Sequence, residues 1–202
     1  MSRTRKTKLT SNDKTKFWLR VYFGSQIESD IILSCIDRAY RDFSRTMHGV
    51  EYQDKKTRLH CYGKLRKHMN EIICQILTQD FNQDSFDIWH KESCDKLTTE
   101  FNKIINYELF YGQAQKWINM TLKYLFAIGD EKINGIDRNY KYFHIPLDNI
   151  IQDKLVEHKI DRIPIKWSRI DNYRTYMDYQ NKVRCTFIGQ IPMDVEFRLF
   201  CS

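Results

Sequence analysis

Between Gln113 and Ile128 the chain sets Ala114, Trp117, Ile118, Met120, Leu122, Leu125, Phe126 and Ile128 at helical spacing, with little polar surface left to face water. A helix that is apolar around most of its circumference is stable only when other elements enclose it, so this segment predicts a central helix. Its neighbours read as helices too. From Ser29, a candidate cap, Ile31, Ile32, Cys35, Ile36, Ala39, Phe43 and Met47 follow steps of three and four, with Gly49 past the end. A second helix over about 54–78 carries Leu59, Tyr62, Leu65, Met69, Ile72, Ile73 and Ile76 on one stripe, and a third over about 84–106 carries Ile88, Trp89, Leu97, Phe101, Ile104 and Ile105. The segment from His144 to Ile151 opens another, with Pro146 suited to a first turn, and a final long helix is expected over about 168–187. Residues 188–202 fit a strand or an irregular tail equally well.

Seven glycines and three prolines leave few turns for a many-stranded sandwich, and 42% apolar residues suffice for a substantial interior, so the expected class is all-α. Residues 1–14 are polar and lack apolar periodicity, which predicts a flexible basic arm ahead of one helical domain over 15–202. Cys35, Cys61, Cys74, Cys94, Cys185 and Cys201 contain no C-x-x-C pair and follow no apolar leader, so they are expected as reduced thiols in a cytoplasmic protein. No apolar run approaches the length of a membrane span, and no membrane partner is expected.

The net charge of +7 is unevenly distributed. Arg3, Arg5, Lys6, Lys8, Lys14, Lys16 and Arg20 face Asp13 alone, and Lys55, Lys56, Arg58, Lys64, Arg66 and Lys67 form a second cluster without an acid. Clustered cations favour a polyanionic partner, because each cation near a phosphate releases condensed counterion. Nucleic acid is the expected partner, with Lys55, Lys56, Arg58, Lys64 and Lys67 as phosphate contacts. His90 and Cys94 lie four apart and His60 and His68 eight apart, but no third ligand joins either pair, so no metal is expected. Phosphate-loop, dinucleotide-binding and serine-hydrolase motifs are absent.

Two segments carry chemistry: Gly112-Gln-Ala-Gln-Lys116-Trp-Ile-Asn-Met-Thr-Leu-Lys123, and Phe143-His-Ile-Pro-Leu-Asp148-Asn-Ile-Ile151. Together they resemble the helix-hairpin-helix superfamily of DNA glycosylases, in which a hairpin leads into a helix bearing a catalytic lysine and an aspartate follows a Val-Pro-Val-Asp-like segment. The likeness covers about forty residues, and the lysine-to-aspartate separation of 32 is similar to that of the archaeal 8-oxoguanine glycosylase branch. The resemblance implies a helix-hairpin-helix glycosylase-like helical domain, with Lys116 as nucleophile and Asp148 as its activating carboxylate. It also implies DNA as partner and excision of an oxidised purine through a lysine Schiff base, with no cofactor. The family's hairpin usually reads Leu-Pro-Gly-Val-Gly, where this chain has Gly112 after Phe110 and Tyr111, which leaves the phosphate grip to Gly112 and Gln113. The four-cysteine set of the iron-sulfur branch is absent, so no cluster is expected.

Trp117 and Met120 supply the apolar setting an attacking amine needs, and Trp117 is also a candidate base contact. Trp167, between Lys166 and Arg169, is the preferred aromatic contact to nucleic acid, since cations interleaved with rings suit an unstacked strand. Tyr173, Tyr176 and Tyr179 form a stripe that suits a core better than a base platform. Structural alternatives accompany these roles. Lys116 and Lys123, two turns apart, also fit the wet side of an amphipathic helix, and Asp148 also fits a first-turn carboxylate complementing the helix dipole. The rival functions are a non-catalytic nucleic-acid binder on the same scaffold and a helical interaction protein of a phage or mobile element. Few Ala, Gly and Pro beside abundant Lys, Asn, Ile and Tyr suit the AT-rich genome of the latter.

Overall fold

In the computed structural model, residues 8–202 are described. Arg3, Arg5 and Lys6 of the basic N-terminal segment lie outside the described residues. Among those described, the chain forms eight α-helices and no strand: α1 (Ser11–Phe23), α2 (Ile31–Ser44), α3 (Lys55–Thr78), α4 (Gln83–Ile105), α5 (Tyr111–Ile128), α6 (Asn149–Val156), α7 (Tyr173–Thr186) and α8 (Pro192–Cys201). Short 3₁₀ turns occupy Ser25–Glu28, Ile136–Tyr142 and Trp167–Arg169. The all-α class expected from the sequence is therefore the observed one. No described helix is long and apolar enough to cross a membrane.

The central helix is α5, whose residues from Gly112 through Leu125 are all buried. Helices α2, α3, α4 and α7 pack on it, together with the 3₁₀ turns at 136–142 and 167–169. Its apolar side meets Ile36, Ala39 and Phe43 of α2 and Leu97 and Phe101 of α4 in one continuous core. The Trp117 ring lies within 6 Å of Tyr40, Phe43 and Phe101.

Several element boundaries differ from expectation because side-chain caps decide them. The arm expected to stay flexible through residue 14 is helical from Ser11, and that helix was not expected; Thr10 and Asp13 cap each other's backbone there, Thr10 Oγ1 accepting from the Asp13 amide at 3.2 Å and Asp13 Oδ2 from the Thr10 amide at 2.8 Å. Lys14, Lys16 and Arg20 thus ride on a helix with no buried residue, tied down at its far end where Tyr22 and Phe23 pack edge-on against Tyr124. Asp30 rather than Ser29 caps α2. Pro146 precedes α6 rather than entering it, and Asp148 is the cap. The helix expected from 168 begins at Tyr173, after the 3₁₀ turn. Tyr173, Tyr176 and Tyr179 are buried, as a core stripe should be.

The C-terminal stretch is helical. Met193, Val195, Phe197 and Leu199 alternate as a strand would, yet Pro192 occupies the first turn of α8. The helix turns Met193, Val195 and Glu196 inward together. The inward carboxylate is what α8 must bury, and its partner is on α5.

Gly112 shows how closely the centre is assembled. Its amide donates to the Ile170 carbonyl at 3.1 Å, and an added Cβ would lie 1.7 Å from the Trp167 carbonyl oxygen. Since that obstacle is backbone, Gly112→Ala is expected to destabilise the fold by about 2–3 kcal/mol or more, through forced separation of α5 from residues 167–170. Denaturant unfolding checks this, and an unchanged midpoint would refute it.

Candidate active site

The site grows from two consecutive residues of α5. Gln115 Nε2 donates to the Leu147 carbonyl at 3.1 Å while its Oε1 accepts from the Leu147 amide at 3.2 Å. From α7, Gln180 holds Ile145 in the same two-point way, at 2.9 and 3.2 Å. Pro146 between them has no N–H that needs a partner. The extended segment 144–147 is thus fixed by two side-chain amides, and it delivers Asp148 to the side chain after Gln115.

That side chain is Lys116. Its Nζ donates to Asp148 Oδ2 at 2.6 Å, while Asp148 Oδ1 accepts from the Ile151 amide at 2.9 Å to cap α6. The lysine side chain is 6% exposed and the aspartate 24%, so the pair lies at the base of an opening rather than on a free surface. The opening is a cleft of about 550 Å³, with Met120 and Trp167 on its walls and Arg38 of α2 and Arg45, the residue that ends that helix, on its rim. Arg38 stacks over the Tyr22 ring at 4.2 Å, and the one acid of the rim, Asp42, accepts from Tyr124 Oη at 2.5 Å.

Two turns along α5, Lys123 is buried against Glu196. Nζ lies 2.7 Å from Oε1 as a directed hydrogen bond and 2.6 Å from Oε2 as an ionic contact, with the Phe200 ring 4.3 Å away. Burial pushes the Glu196 carboxyl up, and the Lys123 ammonium opposes that shift. The alternative that Lys116 and Lys123 cover a wet helix face is therefore overturned: α6 and α8 close over that face, each bringing one carboxylate.

Behind the pair runs a polar chain with a single consistent direction, half-buried at Arg184 and Asp87 and buried from His144 onward. Arg184 donates twice to Asp87 at 2.8 Å, and His144 Nε2 donates to Asp87 Oδ1 at 2.7 Å. Tyr176 Oη donates to His144 Nδ1 at 2.8 Å and accepts from Asn119 Nδ2 at 2.9 Å. Asn119 Oδ1 takes the His90 Nε2 proton at 3.0 Å, and Tyr173 Oη donates to His90 Nδ1 at 2.8 Å. Asn119 also bonds Gln115 Oε1 at 3.0 Å, which joins the chain to the clamp on Leu147. Burial would raise the Asp87 carboxyl, but hydrogen bonds from His144 and Arg184 hold it well below the usual carboxylate range. Burial pushes His90 well below its ordinary value, and pushes His144 down against the opposing pull of Asp87. With both ring nitrogens of His90 engaged, the His90/Cys94 spacing makes no metal site. No group of three metal-ligating side chains gathers among the described residues.

Of the residues expected at the site, Lys116, Asp148 and Trp167 are brought together, and Lys166 and Arg169 are exposed beside Trp167, with Arg169 over the Phe110 ring at 4.9 Å. Three others are corrected. The Gly112 amide is occupied by Ile170. Gln113 is fully buried, its Nε2 donating to the Thr46 carbonyl at 3.2 Å and its Oε1 accepting from the Phe110 amide at 3.2 Å. Trp117 is fully buried, its Nε1 donating to the Ile36 carbonyl at 3.0 Å. None of the three reaches a ligand; each holds α5 in place.

The basic cluster of α3 also divides. Successive residues turn by about 100°, so Lys55 and Arg58 share a face toward α2, whereas Lys56, Lys64 and Lys67 point elsewhere. All five are exposed. Sequence reading missed Arg38, Arg45, Gln115 and Gln180. The first two, with Arg41, repeat at steps of three and four opposite the apolar stripe of α2, a legible signal of a positive ridge. Comparison with protein-family models, curated proteins and solved structures finds no match for this chain.

The two neutral histidines make stability depend on pH. In the unfolded chain each binds a proton with an ordinary pKa near 6.5, whereas in the fold both are held lower, so below that pH the unfolded state binds more protons. Stability is expected to be full above about pH 6.5 and to fall beneath it, by up to roughly 1.4 kcal/mol per pH unit for each histidine. Denaturant unfolding between about pH 7.5 and about pH 5 measures the slope, which should shrink in His90→Gln; a flat profile would contradict neutral histidines.

Proposed function

We propose that this chain is a base-excision DNA glycosylase with lyase activity, acting on an oxidised purine through a Schiff base on Lys116. The observation that carries it is the meeting of Lys116 Nζ with Asp148 Oδ2 at 2.6 Å beneath a cleft rimmed by arginines. An amine, a carboxylate able to take its proton, and cations for a polyanion are the parts such chemistry needs. The motif likeness to helix-hairpin-helix glycosylases adds support, and so does the cap: the aspartate after a Pro-containing segment starts a helix here as in that family.

Proton transfer from Nζ to Oδ2 along the existing hydrogen bond frees the amine lone pair. The amine bonds to C1′ of the sugar as the C1′–N bond to the base breaks, and the departing base takes up a proton from solvent. The Asp148 carboxylate stabilises positive charge on the sugar in that step. The adduct nitrogen gives up a proton to solvent, the C1′–O4′ bond breaks as O4′ takes up a proton, and the protonated imine remains. Loss of a C2′ proton to solvent then breaks the C3′–O bond, with the 3′ phosphate as leaving group. Met120 and Trp167 keep part of the cleft wall apolar, and Trp167 offers an edge to an extruded base.

A non-catalytic nucleic-acid binder is the second reading. It is favoured by the Gly112 amide, which the glycosylase hairpin would aim at a phosphate and which is satisfied here by Ile170.

Borohydride is expected to trap a covalent adduct between the protein and duplex DNA containing an oxidised purine. Lys116→Gln should abolish the adduct and leave DNA binding nearly intact. Asp148→Asn preserves a good helix cap and should slow base release by roughly 100-fold. Lys123→Gln paired with Glu196→Gln, which removes both buried charges, should still form the adduct. An unchanged adduct in Lys116→Gln would assign the chemistry to another amine. Tight DNA binding with no adduct on any lesion would establish the binder instead.

A further inference from the structure

A second cleft, of about 420 Å³, lies on the other side of α2, between that helix and the first turns of α3. Those turns project past the core. The stripe that is apolar from Leu65 onward carries Lys55, Arg58 and Tyr62 here, and Leu59 on the same stripe is 59% exposed rather than packed as its spacing predicts. Tyr40 and Tyr62 form the floor, their ring centroids 4.5 Å apart, and Tyr52 stands beside them. Arg41, Lys55 and Arg58 form the rim.

Charge decides what such a cleft accepts. Asp37 is its one carboxylate, and that group is already engaged by the Tyr62 hydroxyl and by Arg66 at 3.3 Å. Arg41, Lys55 and Arg58 have no ion-pair partner among the described residues, whereas Arg38 and Arg66 each have one. Three uncompensated cations lining one cleft with Tyr40, Tyr52 and Tyr62 match one phosphate and one planar base. A ligand with carboxylates alone would leave the rings unused.

We infer that this cleft is a second, catalytically silent nucleotide-binding site for the strand that enters the Lys116 cleft, with α2 as the shared wall between the two. The inference rests on nucleic acid being the partner and does not need the lyase step. Arg38 of α2 and Arg45 at its C-terminal cap line the Lys116 cleft and Arg41 lines the second, so one ridge of arginines crosses from site to site. A helix is about 10–12 Å wide with its side chains, a span that a few nucleotides of an unstacked strand bridge.

Fluorescence anisotropy of the full chain with labelled single-stranded oligothymidylates, over a range of salt, tests it. Arg41→Ala combined with Arg58→Ala should weaken binding about ten-fold and make the log-log salt slope shallower by roughly 0.7 for one lost phosphate contact. Tyr52→Ala should weaken binding by roughly 5-fold or more with the slope unchanged, since stacking releases no counterion. Both variants should still form the borohydride adduct at saturating DNA if the wild type does. Wild-type affinity and slope in both variants would overturn the second site and leave the lyase proposal untouched. Wild-type protein that binds with these dependences but traps no adduct would support the second site and refute the lyase proposal. Failure of the wild type to bind the oligothymidylates at about 50 mM salt would overturn the second site, and failure to bind lesion-containing duplex as well would overturn the lyase proposal.

Discussion

A helix buried on all sides has to find a partner for every polar group it carries, and α5 carries six such side chains between Gly112 and Leu125. Leaving one unpaired costs about 1–3 kcal/mol for a neutral group and more for a charge. Each is answered by a different part of the chain. Gln113 bonds Thr46 after α2, and Gln115 bonds the 147 backbone. Lys116 pairs with the cap of α6, Asn119 with His90 of α4 and Tyr176 of α7, and Lys123 with Glu196 of α8. Thr121 bonds only to its own helix, within which Gln115 and Asn119 also make further bonds. The apolar faces bring the helices to α5, and these pairings fix where along it each one stops.

The two lysine pairs share a chemistry but differ in setting. Lys123 and Glu196 are shut in by Phe197 and Phe200, and breaking such a pair from one side costs on the order of 3–5 kcal/mol. Lys116 and Asp148 lie at the mouth of a cleft, where the aspartate retains some exposure. Asp148 therefore serves two ends at once: one oxygen orders the first turn of α6 and the other faces the amine. A carboxylate held in this manner cannot turn away from the lysine without uncapping a helix, which keeps the pair aligned before any ligand arrives.

Charge on the outside follows a simpler rule. Cations at the rims of the two clefts lie on α2 opposite its apolar stripe, at Arg45 just past its end, and at the free end of α3, where that helix runs past the core and its inner stripe no longer has to be apolar. Lys56, Lys64 and Lys67 sit nearby in sequence but on other faces, so the cluster that looks continuous along the chain is divided in space.

Six of the eight helices, the central position of α5 and the apolar stripes were legible because they are periodic, and a 3.6-residue period shows in any sequence that buries one face. The Lys116 and Asp148 candidates were legible through a short motif. Their contact was not, because the thirty-one residues between them must fold before the two meet, and the groups that align them, Gln115 and Gln180, act on backbone atoms that have no sequence signature. Trp117 and Gln113 show the same boundary: composition marks an aromatic ring and an amide near a lysine, and only packing shows that both point into the core. For α8, short apolar alternation fitted a strand or an irregular tail equally, while a buried ammonium on a distant helix required Glu196 to turn inward. Local pattern determines which elements form and which faces are apolar. The pairing of buried polar groups is settled only in the tertiary structure, since a charge finds its partner by position in space and leaves no period along the chain.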